Sequence, residues 1–502
     1  MEKPNTNMEI SRLLEYGLQR GLIALEDKAY AANRMLALLG LREFEPQPVE
    51  EELHTPVEPL ERLCQFAAEA GLIEPDTRDG RDQFDTELMN CLMPRPSQVV
   101  GEFYSLYEKD KQAATDYYYQ LARSSNYIRV DRIEKDRMWT APTPYGDLVI
   151  TINLSKPEKD PKAIAAAKNA PQSGYPKCAL CRENEGYLGS ANQAARGNHR
   201  LIPLELGGEP WFLQYSPYVY YNEHCIVLSH EHRPMKVSRQ SISRLLEFVT
   251  FLPHYFVGSN ADLPIVGGSI LTHDHFQGGR YEFPMAKAPI REKVCFPGFE
   301  DVEAGIVHWP MSVIRLRGKE AQRLVDLADK ILTAWREYSD ESAEILAYTE
   351  GTPHNTITPI ARRRGEDYEL DLVLRNNRTT PEHPLGLFHP HAEYHHIKKE
   401  NIGLIEVMGL AILPPRLLTE TGLLEQALKD PAQAQEIMAR PEMEKHQAWY
   451  EELKAAGAGE GDTQRAIQES IGVIFGKILG NAGVYKDTEE GREAFRRFCS
   501  SL

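Results

Sequence analysis

The side chains best suited to chemistry lie in residues 266–279, Val-Gly-Gly-Ser-Ile-Leu-Thr-His-Asp-His-Phe-Gln-Gly-Gly. Alternate side chains of an extended strand share one face, so His273, His275 and Gln277 would line a common surface. The glycine pairs on either side would let the backbone approach a ligand, and their N–H groups could hold a phosphate. We predict a strand over 265–277 that presents these groups. The motif alone leaves catalysis, metal binding and a plain surface location open.

A second motif is the Cys-x-x-Cys pair formed by Cys178 and Cys181. Its spacing is that of a zinc knuckle, but the pair supplies only half of a tetrahedral site. The other five of the seven cysteines are scattered, which is not the pattern of a secreted disulfide framework. The pair is therefore either half of a zinc site or two reduced thiols, and the cysteine usage predicts a cytoplasmic protein.

Several segments resemble the galactose-1-phosphate uridylyltransferases, a branch of the histidine-triad superfamily. The HxHxQ segment is similar to the active-site strand of that family. Residues 178–186, 218–232 and 389–396 match motifs of its second, largely bacterial type in the same order. Together these segments cover most of residues 130–420, and several ordered motifs are far more specific than HxH alone.

The resemblance implies that His275 is a nucleophile and that Gln277 hydrogen-bonds the transferred phosphoryl group. The implied reaction moves UMP between UDP-glucose and galactose 1-phosphate, giving glucose 1-phosphate and UDP-galactose, by ping-pong double displacement through a uridylyl-histidine. A neutral imidazole suits this reaction because it brings no negative charge to two anionic sugar phosphates. Another nucleotidyltransferase or phosphorylase on the same scaffold, and a non-catalytic zinc-stabilised sugar-nucleotide binding protein, are the alternatives.

The resemblance also completes the Cys-x-x-Cys motif. In the first type of the family, structural zinc is held by two cysteines, a later histidine and the first histidine of HxH. The matching positions in this chain are Cys178, Cys181, His232 and His273. The second HxH, with the two histidines that follow it, matches the family's second repeat, where a second metal can sit. We interpret this His-rich segment, 389–396, as a hydrogen-bonded turn and assign it no role.

Substrate-binding groups are expected around the HxHxQ segment, where the candidates are Gly267, Gly268, Ser269 and Arg280. Arginines 362–364 form the densest basic run and are candidates for the phosphates, although a charged hairpin tip is usually just solvated. Further basic candidates for the phosphates are Lys156, Lys159, Lys162, Arg375 and Arg378.

Charge and hydropathy exclude several classes of protein. The 57 Lys and Arg residues against 74 Asp and Glu give a formal net charge of −17, which disfavours a nucleic-acid partner. No apolar run is long enough for a membrane helix, and the first residues do not form a signal peptide. The expected partners are UDP-sugars and hexose 1-phosphates in the cytoplasm, without a membrane. The resemblance implies a homodimer, for which the sequence offers no independent support.

The periodicity of apolar residues predicts the elements that must position these groups. Helical spacing dominates from residue 10 to about 123, whereas alternate apolar residues over 148–154 predict a half-buried strand. Further strands are predicted at 218–229, 356–362, 368–374 and 404–413, and helices at 237–251, 321–338 and 463–479.

This mixture predicts an α+β fold with a largely antiparallel sheet. Together with the resemblance, it predicts two histidine-triad-like halves flanked by helical N- and C-terminal regions. The predicted boundaries are 1–127 for the N-terminal helices, 128–285 and 286–416 for the two halves, and 417–502 for the C-terminal helices.

Overall fold

A computed structural model describes residues 5–154, 174–190, 193–268 and 270–502. Its α-helices, numbered along the chain, are α1 Thr6–Gln19, α2 Lys28–Leu38, α3 Val57–Glu69, α4 Arg78–Asn90, α5 Pro96–Tyr107, α6 Lys111–Ser124, α7 Val130–Ile133, α8 Arg239–Phe251, α9 Pro284–Lys287, α10 Ala321–Glu337, α11 Leu404–Val407, α12 Arg416–Lys429, α13 Pro431–Met438, α14 Gln447–Ala455, α15 Thr463–Ala482 and α16 Glu489–Ser500. None of these described helices combines the length and the apolar character needed to cross a membrane.

The strands are β1 Arg137–Thr143, β2 Gly146–Ile152, β3 Ile202–Leu206, β4 Glu209–Tyr215, β5 Cys225–Ser229, β6 Phe256–Gly258, β7 His275–Gly279, β8 Ile290–Val294, β9 Glu303–Val307, β10 Val313–Gly318, β11 Tyr348–Thr349, β12 Thr352–Pro353, β13 Asn355–Arg364, β14 Asp367–Asn376 and β15 Leu410–Leu413. The described chain divides into two compact units. Unit 1 comprises 5–135, 174–219 and 223–233, and unit 2 comprises 136–154, 220–222 and 234–502.

Unit 1 is mainly helical. Asn5 caps α1 by accepting a hydrogen bond from the Met8 N–H, and Ile10, Leu13 and Leu14 form the buried face that this helix turns to the core. Helix α1 packs against α3, and α5 packs against α6. Strands β3, β4 and β5 form consecutive antiparallel pairs. The helices and strands are joined by polar side chains such as Tyr127, whose hydroxyl donates to the Tyr215 carbonyl of β4.

Unit 2 contains the sheet that carries the HxHxQ segment. Seven of its strands pair antiparallel in the order β7-β6-β13-β14-β10-β9-β8. The longest pair is the β13–β14 hairpin, in register from Asn355 opposite Asn376 to Arg364 opposite Asp367. Helices α8 and α10 pack against each other and against β13, so most of this hairpin is buried on both faces. Strand β7, which carries His275 and Gln277, is thus separated from this buried hairpin by β6 alone.

A second sheet of unit 2 joins distant parts of the chain. Strand β2 pairs antiparallel with β1 and parallel with β15. Residues 148–152 are all buried, including Val149 and Thr151 on the face predicted to be solvated. The prediction of a half-buried strand was therefore wrong, because β2 lies between two partner strands and both α9 and α15 pack against it.

Other predicted elements needed correction at their ends. The strand predicted at 218–229 is confined to β5, since Val219 and Glu223 have positive φ angles of 41° and 54° that no extended strand adopts. The segment 404–413 is helix α11 followed by β15, and the Gly403 N–H at its start donates to the Glu406 carboxylate. The helix predicted to stop at residue 479 continues to Ala482.

The α+β class with antiparallel sheets and helices at both ends of the chain is confirmed. Helices fill most of the chain before β1, and only helices follow β15. The boundaries at 127, 285 and 416 stay predictions.

Candidate functional site

The strand β7 holds His275 at its first position. It pairs antiparallel with β6, with Gln277 opposite Gly258 and Gly279 opposite Phe256. Because side chains alternate along a strand, His275 and Gln277 share one face, and Phe276, which is 1% exposed, points into the core on the other. This part of the predicted face is confirmed.

The prediction that the strand extends back to residue 265 was wrong. His273 lies in a bend before β7, and the chain from 259 to 274 is a loop in its described residues. Pro264 lacks an N–H for strand pairing, and Ile265 turns the backbone with a φ of +73°. His273 therefore reaches its place as a loop residue and not as the first member of a strand face.

The His275 imidazole is buried and makes a hydrogen bond that determines which nitrogen is free. Its Nδ1 lies 2.7 Å from the His273 carbonyl oxygen, which can only accept, so Nδ1 carries the proton and donates. Burial lowers the pKa of His275 to about 4, although the hydrogen bond to the His273 carbonyl favours the protonated ring. The ring is therefore neutral at physiological pH, with the lone pair on Nε2.

The four substrate-binding candidates lie around this strand in different settings. A Cβ atom on Gly267 would lie 2.6 Å from the Ala261 carbonyl oxygen, and one on Gly268 would lie 2.8 Å from Asn260 Nδ2. Both glycines thus allow the loop to fold closely on itself. Ser269 lies outside the described residues. Arg280 follows the end of β7, and its carbonyl accepts a hydrogen bond from Asn222.

Sequence reasoning missed Asn260, which lies in the same loop and holds it to the rest of unit 2. Its Oδ1 accepts a hydrogen bond from the Leu404 N–H at 2.9 Å, while its side chain abuts Gly268. Nothing in its spacing separates it from an ordinary loop asparagine, so only the three-dimensional contacts identify it.

The described chain offers one group of possible metal ligands, and it consists of Cys178, Cys181, His232 and His273. The first three belong to unit 1, where the two Sγ atoms are 3.6 Å apart and Cys181 Sγ is 3.2 Å from His232 Nδ1. Burial raises the pKa of the Cys178 thiol to about 11. Thiols and imidazoles are donors suited to zinc, so the three residues of unit 1 form a cluster that could bind a metal, and His273 is the fourth ligand predicted from the sequence.

The Cys-x-x-Cys turn is held by one side chain. Asn184 donates from Nδ2 to the carbonyl oxygens of both Cys178 and Cys181, each at 2.8 Å. His273, in unit 2, is 1% exposed, and its backbone carbonyl is the acceptor for His275. The same residue thus combines a candidate ligand in its side chain with a support for the candidate nucleophile in its backbone.

The second HxH, at 389–391, has a different geometry. His391 Nε2 donates to the Leu387 carbonyl at 3.0 Å, and its ring stacks on His383 with centroids 4.1 Å apart. The two following histidines, His395 and His396, donate to the carbonyls of Pro390 and Glu393. This hydrogen bonding fits the interpretation of 389–396 as a histidine-rich turn.

The interpretation of the basic run at 362–364 as a solvated hairpin tip was wrong for Arg362. Arg362 is buried, and it binds Glu369 and Asp371 at 2.6 Å each. Arg315 binds the other oxygen of Asp371, also at 2.6 Å. The run lies within β13, and the turn begins only at Gly365. The charge of Arg362 is compensated inside the protein, Arg364 pairs with Glu282 and Glu369, and the half-exposed Arg363 donates to the Glu366 carbonyl.

The remaining basic candidates are also placed by the structure. Arg375 is 1% exposed and donates to the Ile402 carbonyl, and burial lowers its pKa to about 10. Arg378 donates to the Glu344 carbonyl. Lys156, Lys159 and Lys162 lie outside the described residues.

An α+β fold with a buried, neutral imidazole at the start of a sheet strand is compatible with a group-transfer protein. The family model for the N-terminal domain of galactose-1-phosphate uridyl transferase matches residues 21–234, and the model for the C-terminal domain matches residues 247–448. The chain belongs to the galactose-1-phosphate uridyl transferase family. The two matched domains agree with the two-half architecture predicted from the sequence.

Curated relatives match over their full length. The chain is 52% identical over 498 residues to the galactose-1-phosphate uridylyltransferase of Clostridium acetobutylicum, covering 99% of this chain and 100% of that protein. It is 53% identical over 506 residues to the enzyme of that name from Halalkalibacterium halodurans, with 100% of both chains covered. For the Bacillus subtilis protein of the same name the identity is 52% over 502 residues, with 98% of this chain and 97% of that one covered.

Among solved structures, the yeast Ap4A phosphorylase is similar with a TM-score of 0.32 and 13% identity, covering 60% of this chain and 90% of that one. A likeness of this size carries no argument about activity.

Proposed function

We propose that this chain transfers UMP between UDP-glucose and galactose 1-phosphate, with His275 as the nucleophile. The observation that carries the proposal is the His275 ring itself, which is buried, neutral and bonded through Nδ1 to a carbonyl, so that the Nε2 lone pair is free to attack phosphorus. Family membership and the activity named for relatives over 50% identical support the choice of reaction.

The reaction has two displacements at one phosphorus atom. His275 Nε2 attacks the α-phosphorus of UDP-glucose, so a P–N bond forms, the P–O bond to the β-phosphate breaks, and glucose 1-phosphate leaves with that oxygen. A phosphate oxygen of galactose 1-phosphate then attacks the same phosphorus, which breaks the P–N bond and releases UDP-galactose. The positive charge that develops on the ring is stabilised by the Nδ1–H bond to the His273 carbonyl.

Gln277 is proposed to bind the transferred phosphoryl group from the same strand face as His275. An amide can donate a hydrogen bond to a phosphoryl oxygen but cannot shuttle a proton, so it does not activate water. The uridylyl-histidine would therefore react with a sugar phosphate and not with water. Gly267, Gly268, Ser269 and Arg280 are proposed as further substrate-binding residues, since they flank this face along the chain.

We further propose that Cys178, Cys181, His232 and His273 bind a zinc ion in a structural role. The support is the donor set and the short distances among the three ligands of unit 1. A bound zinc would fix His273, and hence the carbonyl that holds His275. No step of the reaction requires the ion.

The proposal extends to the cellular setting and the assembly of the protein. None of the seven cysteines is joined in a disulfide in the structure, which fits a reducing compartment, and we infer that the protein acts in the cytoplasm. A homodimer, and the absence of nucleic-acid and membrane partners, stay predictions from the sequence.

Intact-mass analysis after mixing with UDP-glucose tests the function directly. We expect a mass increase of one uridylyl group that disappears when galactose 1-phosphate is added. A parallel reaction with ADP-glucose distinguishes an adenylyl-transferring relative on the same scaffold. No adduct with either nucleotide would leave only a binding protein and would overturn the proposal.

A further inference from the structure

The loop between β6 and β7 contains an unusual backbone conformation. Ile265 has a φ of +73°, in the left-handed region that β-branched residues rarely adopt. Such a conformation persists only where its surroundings hold it in place. The contacts around Ile265 therefore show what determines the course of the loop that leads to His275.

The residue before Ile265 is held by a side chain from the far end of β14. Asn377 Nδ2 donates to the Pro264 carbonyl at 3.2 Å. The Oδ1 atom of the same amide lies 2.8 Å from His354 Nδ1. Since the Pro264 carbonyl can only accept, the amide must present Nδ2 to it, and His354 must donate from Nδ1. A backbone bond from the Asn377 N–H to the His354 carbonyl fixes the same pair.

The other side of Ile265 is closed by Gly386. A Cβ atom on this glycine would lie 2.9 Å from Ile265 Cγ2 and 2.9 Å from His389 Cβ. Its φ of +131° also belongs to a region that only glycine adopts readily. Ile265 is thus confined between Asn377, acting through Pro264, and Gly386.

The turn at Pro264 and Ile265 determines the position of the residues that follow. It brings Gly267 back beside Ala261, with which it forms an isolated bridge. Further along, the Leu271 carbonyl accepts from the Met235 N–H at 2.9 Å, and the chain then enters the bend at His273. A shift at Ile265 would therefore move the backbone that leads to His273 and His275.

We propose that Asn377 is a positioning residue for the transfer reaction, acting through Pro264 and Ile265 on the loop that carries Gly267 and Gly268 and leads to His275. The inference rests on the proposed function for its effect on rate. It assigns to the end of the β13–β14 hairpin a part in aligning the nucleophile with the phosphorus, without contact with the substrate.

Asn377→Asp tests this with little change of shape, because it keeps the Oδ1 acceptor for His354 and replaces the donor that faces Pro264 by an acceptor. Asn376→Asp is the matched control, since Asn376 is also buried but donates to Leu346 and Asn355, outside the loop. The measurement is a single turnover with UDP-glucose, followed by the amount of uridylyl-protein. A merely structural defect lowers the amplitude, whereas misalignment lowers the rate constant.

We expect Asn377→Asp to lower the rate constant about tenfold or more with the amplitude unchanged, since small misplacements of reacting groups are costly. Asn376→Asp should keep the wild-type rate constant. The proposal is overturned if Asn377→Asp stays within about twofold of wild type, or if the control slows equally.

A second pair of variants decides the matter if Asn377→Asp does not fold. Gly386→Ala places a methyl group against Ile265, whereas Gly351→Ala also adds a methyl group at a positive φ, +80°, but with no atom within 4 Å. Only Gly386→Ala should slow the single turnover, and equal rate constants for the two would overturn the proposal.

Hydrogen exchange separates this inference from the proposed function. The amides of 265–268 should exchange faster in Asn377→Asp than in Asn376→Asp. The wild-type protein could form no uridylyl adduct while the amides of 265–268 still exchange at different rates in the two variants. That result would contradict the proposed reaction and support the role of Asn377 in holding the loop. No difference in exchange contradicts the positioning role.

Discussion

Two HxH motifs in unit 2 use opposite ring nitrogens. His275 donates from Nδ1 to a carbonyl two residues earlier, and this leaves Nε2 as the acceptor. His391 donates from Nε2 to the Leu387 carbonyl and stacks on another imidazole. The same three-residue pattern therefore yields a candidate nucleophile in one place and a hydrogen-bonded turn in the other. The backbone acceptor beside the ring, and not the motif, decides which nitrogen can react.

Replacing His275 and His391 separately gives the strongest test of this difference. His275→Ala should lower uridylyl transfer by roughly four orders of magnitude, because it removes the atom that forms the covalent bond. His391→Ala should stay within about threefold of wild type in the same assay. Equal losses in the two variants would show that the two rings do not differ in function.

Metal content sharpens the contrast in a second way, because only the first HxH contributes a candidate metal ligand. Protein purified without chelators should contain about one zinc ion per chain, and Cys181→Ser should reduce this to roughly a tenth or less and lower the melting temperature. His391→Ala should keep its zinc. Well under one zinc in the wild-type protein would remove the metal site.

Gln277, two positions after the first HxH, offers a test with a smaller expected effect. Gln277→His adds a group that can shuttle protons beside the intermediate, and we expect the ratio of hydrolysis to transfer to rise roughly tenfold or more. Gln277→Asn, which keeps the amide, is the control and should slow both reactions without raising the ratio. Release of UMP with and without galactose 1-phosphate measures the partition, and an unchanged ratio in Gln277→His contradicts the role given to the amide.

The smallest expected effect concerns the acid stability of the histidine-rich turn at 389–396, which contains the second HxH. Burial, with His446 nearby, lowers the pKa of His396 to about 4, so the folded protein binds this proton less well than the unfolded chain does. Stability should therefore fall as the pH drops from about 6.5 towards 4. In His396→Gln the accompanying fall in melting temperature should be smaller by about 3 °C. His54→Gln, at an exposed histidine, should follow the wild-type curve.

The sequence identified the strand and the ligand types but not the loop geometry. Alternation placed His275 and Gln277 on one face, and the Cys-x-x-Cys spacing located the metal-ligand cluster. His273 was misplaced onto the strand because the turn at Ile265 depends on contacts with Asn377 and Gly386, which no local pattern records.

Contacts between residues far apart in the sequence account for the other wrong predictions. Asn377 is 113 residues from Pro264. The buried pairing of Arg362 with Asp371 depends on the register of β13 and β14, whereas the three consecutive arginines suggested an exposed turn. Burial of Val149 follows from its pairing with Leu410, which lies far beyond the range of any periodicity.

That last pairing also bears on how the protein is made. During synthesis, β1 and β2 leave the ribosome long before β15, the parallel partner of β2. Until then the backbone edge of β2 that later pairs with β15 is open, and it lies beside the apolar side chains of Leu148, Ile150 and Ile152. Such an edge can pair with other nascent chains. The second sheet of unit 2 is thus completed late in translation, and its early strands are the part of the chain for which we expect a need for chaperone protection.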